Sequence, residues 1–235
     1  MLKIQDLTIQ YGTQPPVVSG FQLSMKKGEI VSIVGESGSG KTTVIRAVLG
    51  ALPGAGHIAG GDILFHGQSL RDKTPEDWRK IRGSQISMIF QDCGGTLNPI
   101  RKIGSQFVEY LRTHKPSGKK EAWQKACDLL HKMRLPDSQN IMNSYPHQLS
   151  GGMRQRVGIA MAIAFNPALL LADDPPAHLT LPHRRKLCVK CLLCGIRLAQ
   201  ALSLSPITLA LPLIWQTNWL SCSMAKRLTM APVTQ

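Results

Sequence analysis

Nine residues, Gly35–Thr43, read Gly-Glu-Ser-Gly-Ser-Gly-Lys-Thr-Thr and fit the spacing Gly-x4-Gly-Lys-[Ser/Thr]. That spacing suits a loop that wraps the phosphates of a nucleotide. Gly35, Gly38 and Gly40 let the backbone turn its N–H groups inward and approach phosphate oxygens closely. Lys41 places an ammonium on the β- and γ-phosphates, and Thr42 offers a hydroxyl to Mg²⁺. Glu36, Ser37, Ser39 and Thr43 complete the stretch and are assigned to the same phosphate-binding turn. A second anion site is written at Ser150-Gly151-Gly152, where a Ser N-cap precedes two glycines that expose N–H groups at a helix N-terminus. Two strand ends add oxygen ligands. Gln91 follows an apolar run and brings an amide suited to Mg²⁺ and an attacking water. Asp173-Asp174 follow another and bring carboxylates where such sites hold Mg²⁺.

These groups need elements to aim them. Ile30-Val31-Ser32-Ile33-Val34 reads as a buried strand feeding the glycine loop, with a helix over Thr43–Leu49 behind it. Leu2–Tyr11 alternates as a half-buried strand, Phe21–Met25 repeats the pattern before a turn at Lys26-Lys27-Gly28, and Gly60–His66 reads as another strand. Tyr11, just before Gly12, is either an ordinary strand aromatic or a platform for an adenine ring. Pro75–Ile81 is a short helix with Thr74 as N-cap and Glu76 and Asp77 in its first turn. Ile86–Phe90 and Ala168–Ala172 are buried strands that deliver Gln91 and Asp173. Residues 100–147 are largely helical, with Glu121–His131 amphipathic, and are broken at Pro116, Pro136 and Pro146. Leu149–Met153 opens a helix running to Phe165.

The phosphate loop, Gln91, Ser150–Gly152 and strand-end Asp173, in this order, resemble the ATP-binding cassette family, the ATPase subunits of ABC transporters. The resemblance covers about residues 1–174. It narrows to the oligopeptide, dipeptide and nickel import branch through Tyr145-Pro146-His147-Gln148-Leu149-Ser150-Gly151-Gly152-Met153-Arg154-Gln155-Arg156. Met88-Ile89-Phe90-Gln91-Asp92 with Leu97-Asn98-Pro99 points the same way, while Cys93-Gly94-Gly95 departs from that branch. The resemblance implies an α/β fold: a P-loop NTPase, an ABC-type ATPase cassette with an antiparallel β subdomain and a helical subdomain at about 93–150. It implies ATP and Mg²⁺ as ligands. It also implies that Ser150–Gly152 closes on ATP held by a second cassette, and that Gln91 marks the loop sensing a membrane permease. The implied partners are a second ABC ATPase subunit, transmembrane permease subunits and, indirectly, a substrate-binding protein, with the chain on the cytoplasmic face of the inner membrane.

The match fails after Asp173. The family places a catalytic Glu next and this chain has Asp174, whose carboxylate is set back by about 1.5 Å. A general base must reach its water, so the expectation is retained ATP binding with slowed hydrolysis. Thr180 stands where the family has Asp, and the last His, His183, comes too early for the family's γ-phosphate contact.

Composition breaks at the same place. Formal net charge is +14, all 14 acidic residues lie in 1–174, and residues 175–235 hold 7 Lys+Arg with no acid. At the rate of the first part the tail would carry about five acids. In 1–174 the cations are scattered and form no patch, which argues against nucleic acid as a partner. Met1-Leu2-Lys3 leads straight into a strand pattern without a signal-like segment, and Cys93 and Cys127 are isolated, as in a reducing compartment. Cys188-x2-Cys191-x2-Cys194 has metal-like spacing but lacks a fourth ligand nearby. Leu198–Leu220 is uncharged and long enough to span a bilayer, yet Pro206, Pro212 and several amides and hydroxyls interrupt it.

A shifted reading frame would explain this tail. With codons chosen freely and read in the next register, Ser205–Thr208 can encode Thr-His-Asn, and Pro212–Asn218 can encode Ala-Ala-Asp-Met-Ala-Asp-Lys. Met224–Ala231 can encode a Gly-Lys-Thr-Ile-Asp-Tyr-Gly run, and all three share one phase and the family's order. The shift falls between about codons 174 and 181; sequencing the DNA there decides it, and an unbroken frame matching close relatives overturns it. The expected organisation is therefore a cassette at 1–174 and an aberrant basic, Leu- and Cys-rich tail at 175–235, with the last strands of the core sheet missing or mimicked. Two other functions stay open from sequence. One is a hydrolysis-impaired cassette serving as the ATP-binding half of a heterodimer. The other is a soluble nucleotide- or nucleic-acid-binding protein.

Overall fold

Along the first strand, burial alternates through Leu2 and Ile4, then resumes three residues later at Leu7 and Ile9. The change of phase is a β-bulge. The computed structural model describes residues 1–173 apart from Ile30, Glu36, Asp92 and Cys93, together with the backbone of Asn218–Cys222. These residues fall in two compact units, one built on Met1–Arg82 and one beginning at Gly83.

In chain order the first unit contains β1 (Leu2–Tyr11), β2 (Val18–Met25), β3 (Val31–Gly35), α1 (Lys41–Val48), β4 (Gly56–Phe65), β5 (Gln68–Ser69) and α2 (Pro75–Ile81). An antiparallel sheet runs in the order β2-β1-β4-β5. Its register slips between Gln5 and Thr8 on β1, where Asp6 has φ 45°. Gly61 faces this bulge on β4 with φ 75°, and a Cβ built there would lie 2.2 Å from Gln5 O. Only glycine lets β4 pass so close in that conformation. Leu2, Ile4, Phe21, Leu23 and Ile63 form a buried layer on the sheet.

The α2 helix is set by its first turn. Thr74 accepts from Asp77 N–H at 3.2 Å, Asp77 Oδ2 accepts from Thr74 N–H at 3.1 Å, and Pro75 occupies the first helical position. This reciprocal capping was legible in the Thr-Pro-Glu-Asp spelling. Hydrogen bonds donated by the Thr74 hydroxyl, at 2.7 Å, and by Thr74 N–H hold the Asp77 carboxyl below the usual carboxylate range.

The second unit contains β6 (Ile86–Ile89), α3 (Ile103–His114), α4 (Lys119–Lys132), α5 (Ser138–Asn143), a 3-10 turn (Pro146–Gln148), α6 (Gly151–Ala162) and β7 (Leu169–Ala172). β6 and β7 pair in parallel, Ile86 with Leu169 through Ile89 with Ala172, and all four β7 residues are buried. Parallel strands covered on both faces read as continuous apolar runs, as these do. The helices end or begin around Pro116, Pro136 and Pro146, and bury Phe107, Leu111, Ala126, Leu130, Ile141 and Met142.

The tail supplies β8 (Asn218–Cys222), which runs parallel to β3 in unbroken register from Val31–Asn218 to Gly35–Cys222. Tail residues thus supply β3 with its partner strand among the described residues. Asn218–Leu220, the end of the uncharged stretch, lie in this strand. Among the described residues no helix is long and apolar enough to cross a membrane, and no group of His, Cys, Asp or Glu has metal-site geometry. The Cys188–Cys194 spacing, His183, Thr180 and Asp174 lie outside the described residues.

Several boundaries differ from the sequence expectation. α1 begins at Lys41 rather than Thr43, because Gly40 in the left-handed region (φ 85°) is already the cap and Lys41 the first helical residue. β2 starts three residues earlier, at Val18, because the ladder to β1 continues to Ile9. β4 extends back to Gly56 for the same reason, pairing with Tyr11. α6 stops at Ala162, where Ile163 takes over the capping role.

Candidate nucleotide-binding site

Val31 and Ile33 are buried and carry the chain along β3 to Gly35, where the glycine loop begins. Gly38 and Gly40 both take left-handed backbone, φ 81° and 85°. Gly40 hands the chain directly into α1, and Val44 N–H bonds back to Gly40 O at 2.9 Å. First-turn amides point along a helix axis out of its N-terminus, so this geometry turns a row of donors and the positive end of the helix dipole toward the loop. The opposite end of α1 is held by its buried face, Val44, Ile45, Ala47 and Val48.

Lys41 reaches back over the loop. Its Nζ donates to Gly35 O at 2.8 Å and to Ser39 Oγ at 3.1 Å. The ammonium therefore bridges the first glycine and the last serine of the motif. Ser39 is buried, while Ser37 and Gly38 are exposed and Thr42 and Thr43 are half-buried. Glu36 lies outside the described residues. Tyr11 ends β1 half-buried, with its ring over the neighbouring strand: a Cβ built on Gly56 would lie 2.7 Å from Tyr11 Cε1.

Sequence reasoning missed what backs the loop. A Cβ built on Gly40 would lie 2.7 Å from Val18 Cγ2 and 3.3 Å from Val17 O. The conformation and the space both demand glycine. No local pattern predicts this contact, since Val18 opens β2 and Gly40 caps α1.

In the second unit, Gln91 and Asp173 leave the same end of the parallel pair. Asp173 N–H bonds Ile89 O at 3.1 Å, one step past β7, and Gln91 lies two residues beyond Ile89, exposed in a turn. Carboxyl ends of parallel strands are where open α/β sheets bind ligands. A carboxylate and an amide oxygen are hard oxygen donors of the kind that suits Mg²⁺.

Ser150 caps α6 as its sequence suggested, its Oγ accepting from Met153 N–H at 3.3 Å. Arg154 Nη1 donates to Leu149 O at 2.7 Å and Pro146 O at 3.3 Å, and Gln148 Oε1 accepts from Tyr145 N–H at 2.8 Å, fixing the approach to the helix. Gly151 and Gly152 are exposed, and no described residue lies within 4 Å of a Cβ built on either. Unlike Gly40, they have no neighbour among the described residues that asks for glycine.

The family model described as ABC transporter matches residues 18–177. The chain is 41% identical over 183 residues to the oligopeptide transport ATP-binding protein OppD of Bacillus subtilis (strain 168), covering 76% of this chain and 51% of OppD. It is 46% identical over 165 residues to AppD of the same organism (70% and 50%), and 40% identical over 182 residues to the dipeptide transport ATP-binding protein DppD of Escherichia coli (strain K12) (76% and 56%). The chain spans about half the length of the curated relatives it matches. Among solved structures it is similar to the ATP-binding cassette MJ0796 in a dimeric post-hydrolysis state bound to ADP and Pi. The TM-score is 0.64 at 29% identity, covering 74% of each chain. The fold is the P-loop NTPase fold of ABC ATPase cassettes, and the chain belongs to the ABC transporter family.

Proposed function

We propose that this chain is the ATP-binding, energy-coupling subunit of an importer, driving uptake of peptides, with nickel or other metal complexes as the alternative cargo of the same branch. The observation that carries the reading is the glycine loop itself: Gly38 and Gly40 in left-handed backbone, opening directly into α1 with Lys41 as its first residue. In this reading Gly35–Thr43 hold the phosphates of ATP, Lys41 neutralises them, and Tyr11 stacks on the base. Thr42, Gln91 and Asp173 would hold Mg²⁺, which when bound screens phosphate charge. Gln91 and Asp174 position and deprotonate the attacking water.

Ser150–Gly152 serve the opposite site, closing on ATP held by a second cassette. The open space around Gly151 and Gly152 supports this, because helix-initial glycines without an internal reason are suited to close approach by something outside the chain. The transport names of the relatives support permease subunits and a substrate-binding protein as further partners, at the cytoplasmic face of the inner membrane. We place the cassette at 1–174, its helical subdomain at about 93–150, and the tail at 175–235 outside it.

Titration of the full chain with a fluorescent ATP analogue tests the reading. Lys41→Ala should weaken binding about ten- to a hundredfold, the worth of a charge-assisted contact. Equal binding by Lys41→Ala and the unaltered chain would sink it.

A further inference from the structure

We propose that Val18, the first residue of β2, is a positioning residue for the phosphate loop, acting through Gly40. The proposal rests on the nucleotide-binding reading of Gly35–Thr43. Val18 is 3% exposed, and its Cγ2 stands 2.7 Å from where a Gly40 Cβ would be. Val17 O closes the same corner at 3.3 Å, and Val17 Cγ1 lies 3.8 Å away. Thus the turn that aims the amides of α1 is wedged against the start of β2, and its depth is set by the volume at position 18.

Val18 is itself fixed. It pairs with Ile9 in the antiparallel ladder, and Val17 N–H bonds Ile9 O at 2.9 Å. Ile9 lies two residues before Tyr11 on β1, and Pro15-Pro16 stiffen the entry to the strand. Position 18 therefore ties the phosphate loop to the strand that carries Tyr11. An interior packed to crystal density transmits a change of one or two methyl groups to the backbone it supports.

A double-mutant cycle on the full chain tests this, with a fluorescent ATP analogue as probe and thermal melts in parallel. Val18→Ala should weaken nucleotide binding about three- to tenfold, by letting Gly40 and the amides behind it relax. Gly40→Ala should weaken it about a hundredfold, through clash and left-handed strain together. In the Val18→Ala background the same Gly40→Ala change should cost only about tenfold, since the clash is gone and the strain is not. Leu23→Ala, equally buried on β2 and away from Gly40, should lower the melting temperature without shifting nucleotide affinity. Additive effects of the two loop-side substitutions, or a Leu23→Ala loss matching Val18→Ala, would overturn the proposal. If the unaltered chain binds no nucleotide, the nucleotide reading fails instead. The Val18–Gly40 coupling is then judged from the melts, where additivity again counts against the proposal.

Discussion

Arg82 Nε donates to Leu49 O at 2.8 Å, which closes the carboxyl end of the helix whose first residue is Lys41. Its Nη2 donates to Gly50 O, and its guanidinium lies 4.7 Å from the centroid of the Trp78 ring. Trp78 in turn fills the corner at Gly50, where φ is 60° and a Cβ would meet ring carbons at 2.2 Å. The helix behind the phosphate loop is thus anchored from α2, thirty-odd residues along the chain. Burial pushes the guanidinium below its ordinary range, a cost its two carbonyl partners offset.

Removing Arg82 should therefore loosen α1 from its far end. Arg82→Leu should cost about 1–3 kcal/mol, because it leaves helix-end carbonyls without their donor. Arg82→Lys should recover only part of this, since a point charge cannot reach both carbonyls as the fork does. Urea unfolding of the full chain decides it: an unchanged midpoint for Arg82→Leu would mean that water replaces the fork at no cost.

Gly151→Ala and Gly152→Ala should separate stability from function. Both positions are helical with open space around them, so alanine should leave the chain as stable or raise its stability by about 0.5–1 kcal/mol. Nucleotide binding to the chain's own phosphate loop should persist, while ATP-dependent dimerisation and turnover fall. Analytical ultracentrifugation with ATP reads the first effect and phosphate release the second. Undiminished dimerisation would count against a role across the interface.

In the proposed function Asp174 is the base for turnover. Asp174→Glu lengthens that carboxylate's reach by about 1.5 Å. If the short carboxylate limits hydrolysis, the substitution should raise the rate about tenfold or more with little change in ATP affinity. Lack of any gain, in a chain that binds ATP normally, would place the block elsewhere in residues 175–235.

His114 should make the second unit sensitive to acid. Its ring lies 4.9 Å from the Tyr110 centroid and 5.3 Å from that of Phe165, and Lys125 sits over Phe165. Burial holds the imidazole below its ordinary value. Above about pH 7 the ring is neutral in both folded and unfolded chains and contributes no pH dependence. As pH falls through about 6.5, the unfolded chain takes up the proton first, so stability declines toward the depressed folded value. His114→Gln should flatten this decline in melting temperature between about pH 7 and 5. A variant curve parallel to that of the unaltered chain would assign the acid sensitivity to other groups.

Much of this was legible from spelling because the physics is local. The Thr74–Asp77 capping box, the Ser150 cap and the glycine loop are each written within a few neighbouring residues. Cap hydrogen bonds and left-handed glycine turns are set mainly by those neighbours. Boundaries were less legible. Val18 joined β2 because Ile9 offered a partner, and Gly40 ended up as a cap because its left-handed turn starts the helix two residues before the apolar pattern suggests.

The sequence by itself determined the family, and it proposed the two anion-binding turns and the strand-end oxygens Gln91 and Asp173, since motif chemistry is carried by residue type and short spacing. It also marked the break after Asp174, because composition needs no fold to be read. Tertiary structure alone decided why Gly40 must be glycine while no described neighbour asks for glycine at Gly151 or Gly152, that Arg82 holds the far end of α1, and that tail residues pair beside β3. Those are facts about which distant atoms come within a few ångströms of each other. Space of that kind is fixed by packing between elements and is written in no single stretch of chain.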